Sequence, residues 1–286
     1  MDTTIVTLCF WLAVVATAAS ALFYIRDFFS TGESDRWDSL AGNLAVAAFG
    51  FLAVSLAVKW LYFGVTEFGI QFSTRSVYAL CLLGAYVLAE ALYSGRMPKI
   101  RVAGTLVMPA VLVLLFYAWA GYGIEYTVTP ALNSAWVIVH VILALLAYGA
   151  LTVALIAAVL QIVEENRLKN KKRLDKVFRK FPPLETLESL TYKAVSISFI
   201  FLSLVIVTGA LRANMLPAWQ QWWADPKILS AIVTWAVFGT YIAGRVFFGW
   251  RGRRASLIVI AGFVIAIFTY FVNYIFPSIH NYGRGF

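Results

Sequence analysis

Groups that carry chemistry are scarce in this chain. Its 286 residues include two histidines and two cysteines, and Asp, Glu, Lys and Arg together make up 13%. Cys9 and Cys81 both lie inside apolar runs, with no C-x-x-C pair and no spacing suited to a metal. That excludes thiol-exchange chemistry and a cysteine-built zinc site, and leaves two small packing residues. Neither G-x-G-x-x-G nor a P-loop occurs, so nucleotide-driven transport by this chain alone is not expected. There is no internal repeat and no low-complexity tract. No basic flank precedes the first apolar run and no A-x-A-like cleavage site follows it, so that run is expected to stay in the mature protein.

What the chain has instead is apolar length. It is 62% hydrophobic and 16% aromatic, with a mean hydropathy of +0.81, far too apolar for a soluble domain of this size. A helix needs about 20 apolar residues to cross a bilayer. Eight such runs stand at roughly 4–25, 40–63, 76–93, 102–120, 133–163, 190–213, 228–248 and 255–276. The expected fold is therefore all-α: an integral membrane bundle of about eight transmembrane helices.

The net charge of +9 is distributed by connection rather than spread as a nucleic-acid-binding surface. Arg26 and Arg36 lie in the first connection, Arg96, Lys99 and Arg101 in the third, and Arg251, Arg253 and Arg254 in the seventh; "RLKNKKRLDKVFRK" in the fifth supplies most of the rest. The second, fourth and sixth connections and the C-terminal tail hold only Arg75, Lys227 and Arg284. By the positive-inside rule the odd connections are cytoplasmic and both termini extracytoplasmic, with attraction to anionic headgroups of the lipid bilayer as a secondary effect. Residues 164–189 form the one sizeable polar segment, a basic cytoplasmic loop. In it Pro182-Pro183 breaks any helix continuing from the fifth span, and "LETLESL" reads as an amphipathic turn leading into the sixth.

This topology brings the scarce groups to one side. His140 lies about two turns into the fifth span from its outer end, and His280 follows the eighth span in "FPSIHNYG". On the same face, the sixth connection "PAWQQWWADPKILSA" (217–231) gathers Trp219, Trp222 and Trp223 beside Asp225. An ionisable side chain inside a span is costly and faces a cavity or a partner; taken alone, His140 reads equally as an imidazole bridging two helices. Interfacial anchoring accounts for Trp11, Trp37, Trp60 and Trp119, and competes with a binding role for the clustered three. Two imidazoles flanking an aromatic platform suit an iron macrocycle, which takes two axial nitrogens and apolar surfaces against its faces, whereas zinc wants more ligands. Trp136, one turn before His140, shares its helix face and can wall the same site. Asp225 precedes Pro226 at the start of the seventh span, where a carboxylate caps the exposed N–H groups.

The pattern resembles the cytochrome c assembly family and, within it, the CcsA and HemX-like branches with their tryptophan-rich "WWD" external loop. "PALNSAWVIVHVILALLAYGAL" (130–151) resembles the span bearing the first external histidine, and "TGALRANMLPAWQQWWADPKILSAIVTW" (208–235) the signature loop with its flanking helices. "YIAGRVFFGWRGRRAS" (241–256) resembles the next cytoplasmic turn and "HNYG" (280–283) the motif with the second histidine. The similarity runs from about residue 60 and is specific in the last third; on this basis residues 101–286 form the assembly domain and residues 1–100 weakly matched N-terminal helices.

The resemblance implies that His140 and His280 are axial ligands of b-type haem. It matches Trp222 and Asp225 to the signature Trp and Asp, with Trp219 and Trp223 displaced by one position. It implies haem held at the extracytoplasmic face of a cell (inner) membrane for attachment to apocytochrome c, with a second membrane subunit as a further partner and no catalytic residue assigned. Three positions depart from the pattern: Ala224 and Ile228 replace a Trp and a Glu of the loop, and Ala243 replaces a histidine within the seventh span. An inner haem site would thus need a partner chain. Two other readings stand beside this one: a HemX-like haem-binding regulator of tetrapyrrole synthesis acting through loop 164–189, and a non-haem membrane subunit or transporter.

Overall fold

The computed structural model describes residues 3–30, 35–63, 71–93, 98–123, 134–169, 181–215, 222–278 and 280. Among the described residues eight helices are long and apolar enough to cross a membrane: α1 (Thr3–Phe29), α2 (Asp35–Phe63), α3 (Gln71–Tyr93), α4 (Gly104–Trp119), α5 (Ala135–Lys169), α6 (Leu184–Asn214), α7 (Pro226–Phe248) and α8 (Gly252–Ile275). No strand occurs among the described residues. The protein is a multi-pass, all-α membrane protein, as its apolar runs predict.

Two of the expected boundaries move. Arg75, expected in a connection, lies inside α3 and is buried there, because its guanidinium donates to the Tyr117 carbonyl at 2.8 Å and stacks 3.7 Å from that ring's centre. A cation so satisfied no longer marks a helix end. "LETLESL" is not a separate turn but the start of α6: Pro183 fixes the entry, and its carbonyl accepts from the N–H groups of Thr186 and Leu187.

The chain divides into two compact units. The first comprises residues 1–124 with 163–187. In it α1 presents Phe10, Ala13, Thr17 and Tyr24 inward, while Leu8, Val15 and Leu22 are 59%, 63% and 68% exposed. Aliphatic side chains face outward while aromatic rings and small residues pack inward, since in lipid it is packing rather than water exclusion that holds the helices together. Ser20 and Ser55 donate across to the carbonyls of Ala41 and Val6 at 2.8 Å each. The buried Glu90 is met from both sides, by the Tyr24 hydroxyl at 2.6 Å and by Arg101 Nε at 3.2 Å. Gly104 packs beneath this group, where a Cβ would lie 2.5 Å from the Tyr86 hydroxyl.

The second unit comprises residues 125–162 with 188–286. Ser198 donates to the Ala147 carbonyl (3.0 Å), Trp235 Nε1 to Ser203 Oγ (2.8 Å) and Tyr148 to the Ala266 carbonyl (3.1 Å), while Thr234 pairs with Thr269 (3.1 Å). These bonds tie α5, α6, α7 and α8 in mid-span. One end is locked by Glu188, which accepts from Gly252 N at 2.7 Å and Gln161 Nε2 at 3.1 Å and pairs with Arg245; Ser256 completes the group through Gln161. The opposite end holds the starts of α5 and α7 and the ends of α6 and α8.

The packing at Gly104 gives a direct test. Gly104→Ala inserts a methyl group where there is no room and is expected to cost about 1–3 kcal/mol, seen as a lower thermal midpoint in detergent. Gly50→Ala, whose Cβ would meet nothing within 4 Å, should leave the midpoint unchanged or raise it.

Candidate functional site

At that second end, α5 places Trp136 and His140 one turn apart, both facing residue 208 of α6. Trp136 Nε1 donates to the Thr208 carbonyl at 2.9 Å, and His140 Nδ1 lies 3.0 Å from Thr208 Oγ1. The Thr208 hydroxyl has one proton, which goes to the Leu204 carbonyl 2.7 Å away, with Val205 at 3.2 Å as the weaker branch. Its oxygen is therefore the acceptor toward histidine, Nδ1 carries the imidazole proton, and Nε2 keeps its lone pair. The ring sits against bare backbone at Gly209, where a Cβ would come within 3.0 Å of Cε1. Thr208 fixes the tautomer and Gly209 the ring's position.

The second half of the site is organised by Asp225, which is only 6% exposed. Extended backbone at Asp225 and Pro226 in the first helical position start α7, and Asp225 Oδ1 caps it by accepting from Lys227 N at 2.9 Å and Ile228 N at 3.3 Å. The same oxygen accepts from the Ser278 hydroxyl at 3.1 Å, and Ser278 Oγ accepts from the His280 N–H at 3.1 Å. His280 Nδ1 lies 3.5 Å from the Asp225 oxygen, a charge contact longer than a good hydrogen bond. The cap of one helix thus holds the segment that follows another. It also gives His280 a carboxylate behind Nδ1, the arrangement that orients histidines toward metals through Nε2.

Burial holds the His280 imidazole below the usual histidine range; Asp225 pulls the other way and Lys227 adds to the lowering. The ring is kept neutral, the form that binds metal. His140, His280 and Lys227 interact electrostatically, so both histidines and this cation belong to one neighbourhood.

Of the expected residues, Trp136 and His140 meet at Thr208, and Asp225 and His280 meet at the start of α7. Trp222 lies in a short 3-10 turn ahead of Asp225, with Nε1 donating to Asn214 Oδ1 at 3.0 Å, so it anchors the loop to the end of α6. Trp223 is 63% exposed. Trp219 lies outside the described residues. Thr208, Gly209, Asn214, Lys227 and Ser278 were not singled out from the sequence. Small polar residues in spans bond so often to their own helix that Thr208 carries no signal alone, and Ser278 follows α8 with no motif to mark it; Lys227 could have been found, as a cation at a helix start.

These residues fit a haem. Among the described residues no three or more His, Cys, Asp or Glu converge as a set that could hold a metal ion by themselves. Two imidazoles, each with a polar side chain at Nδ1, suit an iron whose other four ligands come from a porphyrin.

Comparison with known proteins agrees in extent. Residues 71–280 match the family model described as cytochrome c assembly protein, a stretch that opens with α3 and closes on His280. The chain is 29% identical over 238 residues to the cytochrome c biogenesis protein CcsA of Chlamydomonas reinhardtii, covering 81% of this chain and 65% of that one. It is 28% identical over 262 residues to CcsA of Prochlorococcus marinus subsp. pastoris, covering 82% and 80%. Against CcsA of Chlorella vulgaris it is 28% identical over 265 residues, covering 81% and 82%.

With two histidines in the chain, nitrogen NMR on histidine-labelled protein reads each ring separately. His140 is expected as the Nδ1–H tautomer, and Thr208→Val should convert it to a mixture at a stability cost of about 1 kcal/mol. His280 should remain mostly neutral at pH 6.5, where a free histidine is about half protonated. Because its folded value lies below the unfolded one, its share of stability is intact above about pH 6.5 and falls as the pH drops further. His280→Gln should remove that share; a His280 ring half protonated at pH 6.5 would contradict this account.

Proposed function

Since this chain belongs to the cytochrome c assembly protein family, we propose that it holds b-type haem between His140 and His280 at the extracytoplasmic face of a cell (inner) membrane and presents it to apocytochrome c. Its place in cytochrome c biogenesis follows from membership; the haem, the face and the recipient are the proposal. The observation that carries it is the pair of imidazoles, each backed at Nδ1 by a polar side chain, in one electrostatic neighbourhood.

Each residue has a separable task. Thr208 and Asp225 keep the two Nε2 atoms directed away from their supports, while Gly209 leaves room for the first ring. Ser278 joins the second histidine to the start of α7. Trp222 fixes the loop to α6 through Asn214, and the exposed Trp136 and Trp223 offer flat apolar surface to a macrocycle. Bound haem supplies iron and the vinyl groups at which thioethers to a cytochrome form. No side chain of this protein is required as acid or base, so none is assigned a catalytic role.

With both termini extracytoplasmic, the basic connections face the cytoplasm and the histidine end faces outward. The assembly domain would then comprise residues 101–286, and the residue matching an inner histidine of the family is Ala243. Delivery from the inner side then falls to a second membrane subunit. The regulatory alternative depends on loop 164–189, of which residues 170–180 lie outside the described ones.

Absorption spectra of the detergent-purified protein, oxidised and reduced, test the proposal. Wild type should show paired sharp α and β bands, and His140→Ala or His280→Ala should broaden or abolish them while cytochrome c maturation falls at least tenfold. Wild type that stays colourless after haem addition would overturn it.

A further inference from the structure

The turn from α7 to α8 is built as a fixed corner, and what it carries is positive. Gly249 takes the left-handed conformation (φ 63°) that ends α7, and the Trp250 N–H donates to the Gly244 carbonyl at 3.0 Å. The Trp250 indole packs so close to Gly244 that a Cβ there would have no room. Gly252, at φ 64°, gives its N–H to Glu188 at 2.7 Å, and Arg245 of α7 pairs with the same carboxylate. On this corner Arg251, Arg253 and Arg254 are all exposed.

Neither helix gains from that cluster. Arg251 occupies the cap position of α8, and its guanidinium, which has no acceptor, makes no cap bond. Arg253 and Arg254 lie in the first turn, where the helix dipole favours anions. Glu188 is the acid built into the corner, and Gly252 N, Gln161 Nε2 and Arg245 already share it. No Asp or Glu follows Asp225 in the chain, so α7 and α8 bring none of their own. A guanidinium is less strongly hydrated than an ammonium, and its fork matches the oxygens of a phosphate. The neighbours of these arginines say which phosphate. Phe247 and Phe248, at the end of α7, are 78% and 74% exposed. Rings so bare belong among acyl chains, which sets the arginines at the depth of lipid headgroups. A soluble anion would leave the rings unanswered, whereas a phospholipid brings anion and chains together. General attraction of a basic connection to an anionic leaflet requires only charge; a corner with a fixed backbone, forked donors and adjoining bare rings selects one molecule.

We propose that the α7–α8 corner holds an individual anionic phospholipid, its phosphate against Arg251, Arg254 and the start of α8 and its acyl chains along Phe247 and Phe248. The site lies at the Glu188 end of the second unit and does not depend on the haem reading. Because Trp250 and Glu188 fix the backbone beforehand, little ordering of the corner accompanies binding. The lipid in turn neutralises like charges crowded at the start of α8, and so strengthens the end of the unit opposite the histidines.

Native mass spectrometry of the full-length protein in detergent counts bound lipids, with phosphatidylglycerol and phosphatidylcholine of identical chains as probes. Wild type should hold one phosphatidylglycerol about tenfold more tightly than phosphatidylcholine, whose choline places a further cation beside the arginines. Arg251→Gln with Arg254→Gln should remove that preference. Lys171→Gln with Lys172→Gln, which takes the same charge from another basic connection, should leave it in place. Phe247→Ala with Phe248→Ala should weaken both lipids about equally. The lipid-free thermal midpoint of the arginine variant should match or exceed wild type, since two cations leave a helix start; if it falls, Arg251→Gln alone carries the comparison, with a loss of about threefold. A preference that survives in the arginine variant, or is lost equally in the lysine variant, would mark a general basic surface. Displacement by inorganic phosphate, or full affinity in the phenylalanine variant, would mark a site for a free anion. Each of these results overturns the proposal, as does wild type that holds the two lipids alike.

Discussion

A single carboxylate oxygen governs how this site is assembled. The start of α7 has N–H groups with no partner inside the helix, and at the edge of a bilayer such groups cannot be left bare. Asp225 Oδ1 satisfies two of them, and that obligation pins the oxygen in place. Once pinned, it becomes a fixed point to which Ser278, and through it His280, can be attached. The cap is a requirement of helix geometry that any well-made α7 would meet. The site makes use of it, so the second histidine is held by an interaction the fold needs in any case.

The first histidine is held by different means. Thr208 back-bonds to the carbonyl one turn earlier, as threonines in apolar helices commonly do, and this leaves its oxygen as an acceptor. One hydrogen bond of this kind is worth about 1 kcal/mol, small against the stability of a bundle. It is large against the difference between two imidazole tautomers, and that difference decides which nitrogen a ligand meets. The site therefore depends on interactions too weak to matter to the fold, set in a frame held elsewhere by the serine and threonine bonds between helices and by Glu188 at the far end.

Much of the frame was legible in the sequence. Apolar runs of span length mark all eight helices, because lipid allows few other solutions for the backbone. Asp225 before Pro226 announced its cap, and the scarcity of histidine drew attention to His140 and His280. Arg75 misled as a boundary because a charge reads as a helix end until its partner is known, and Tyr117 lies 42 residues away in the chain. "LETLESL" misled because its polar residues hid a helix that begins directly after Pro183. Thr208 and Ser278 were illegible for another reason: their parts depend on which side chain lies opposite across two helices, and the pattern along one helix does not encode that.

The separation of the two histidines along the chain has a consequence in time. His140 belongs to α5 and His280 follows α8, so α6, α7 and α8 must all be in place before the pair exists. A chain still being inserted, or one stalled within α6 or α7, has one imidazole, and before α6 has packed even that one lacks its threonine. The completed pair is thus a report on the assembly of α5 to α8, and a ligand that requires both nitrogens is accepted only by molecules whose synthesis and insertion have run past α8.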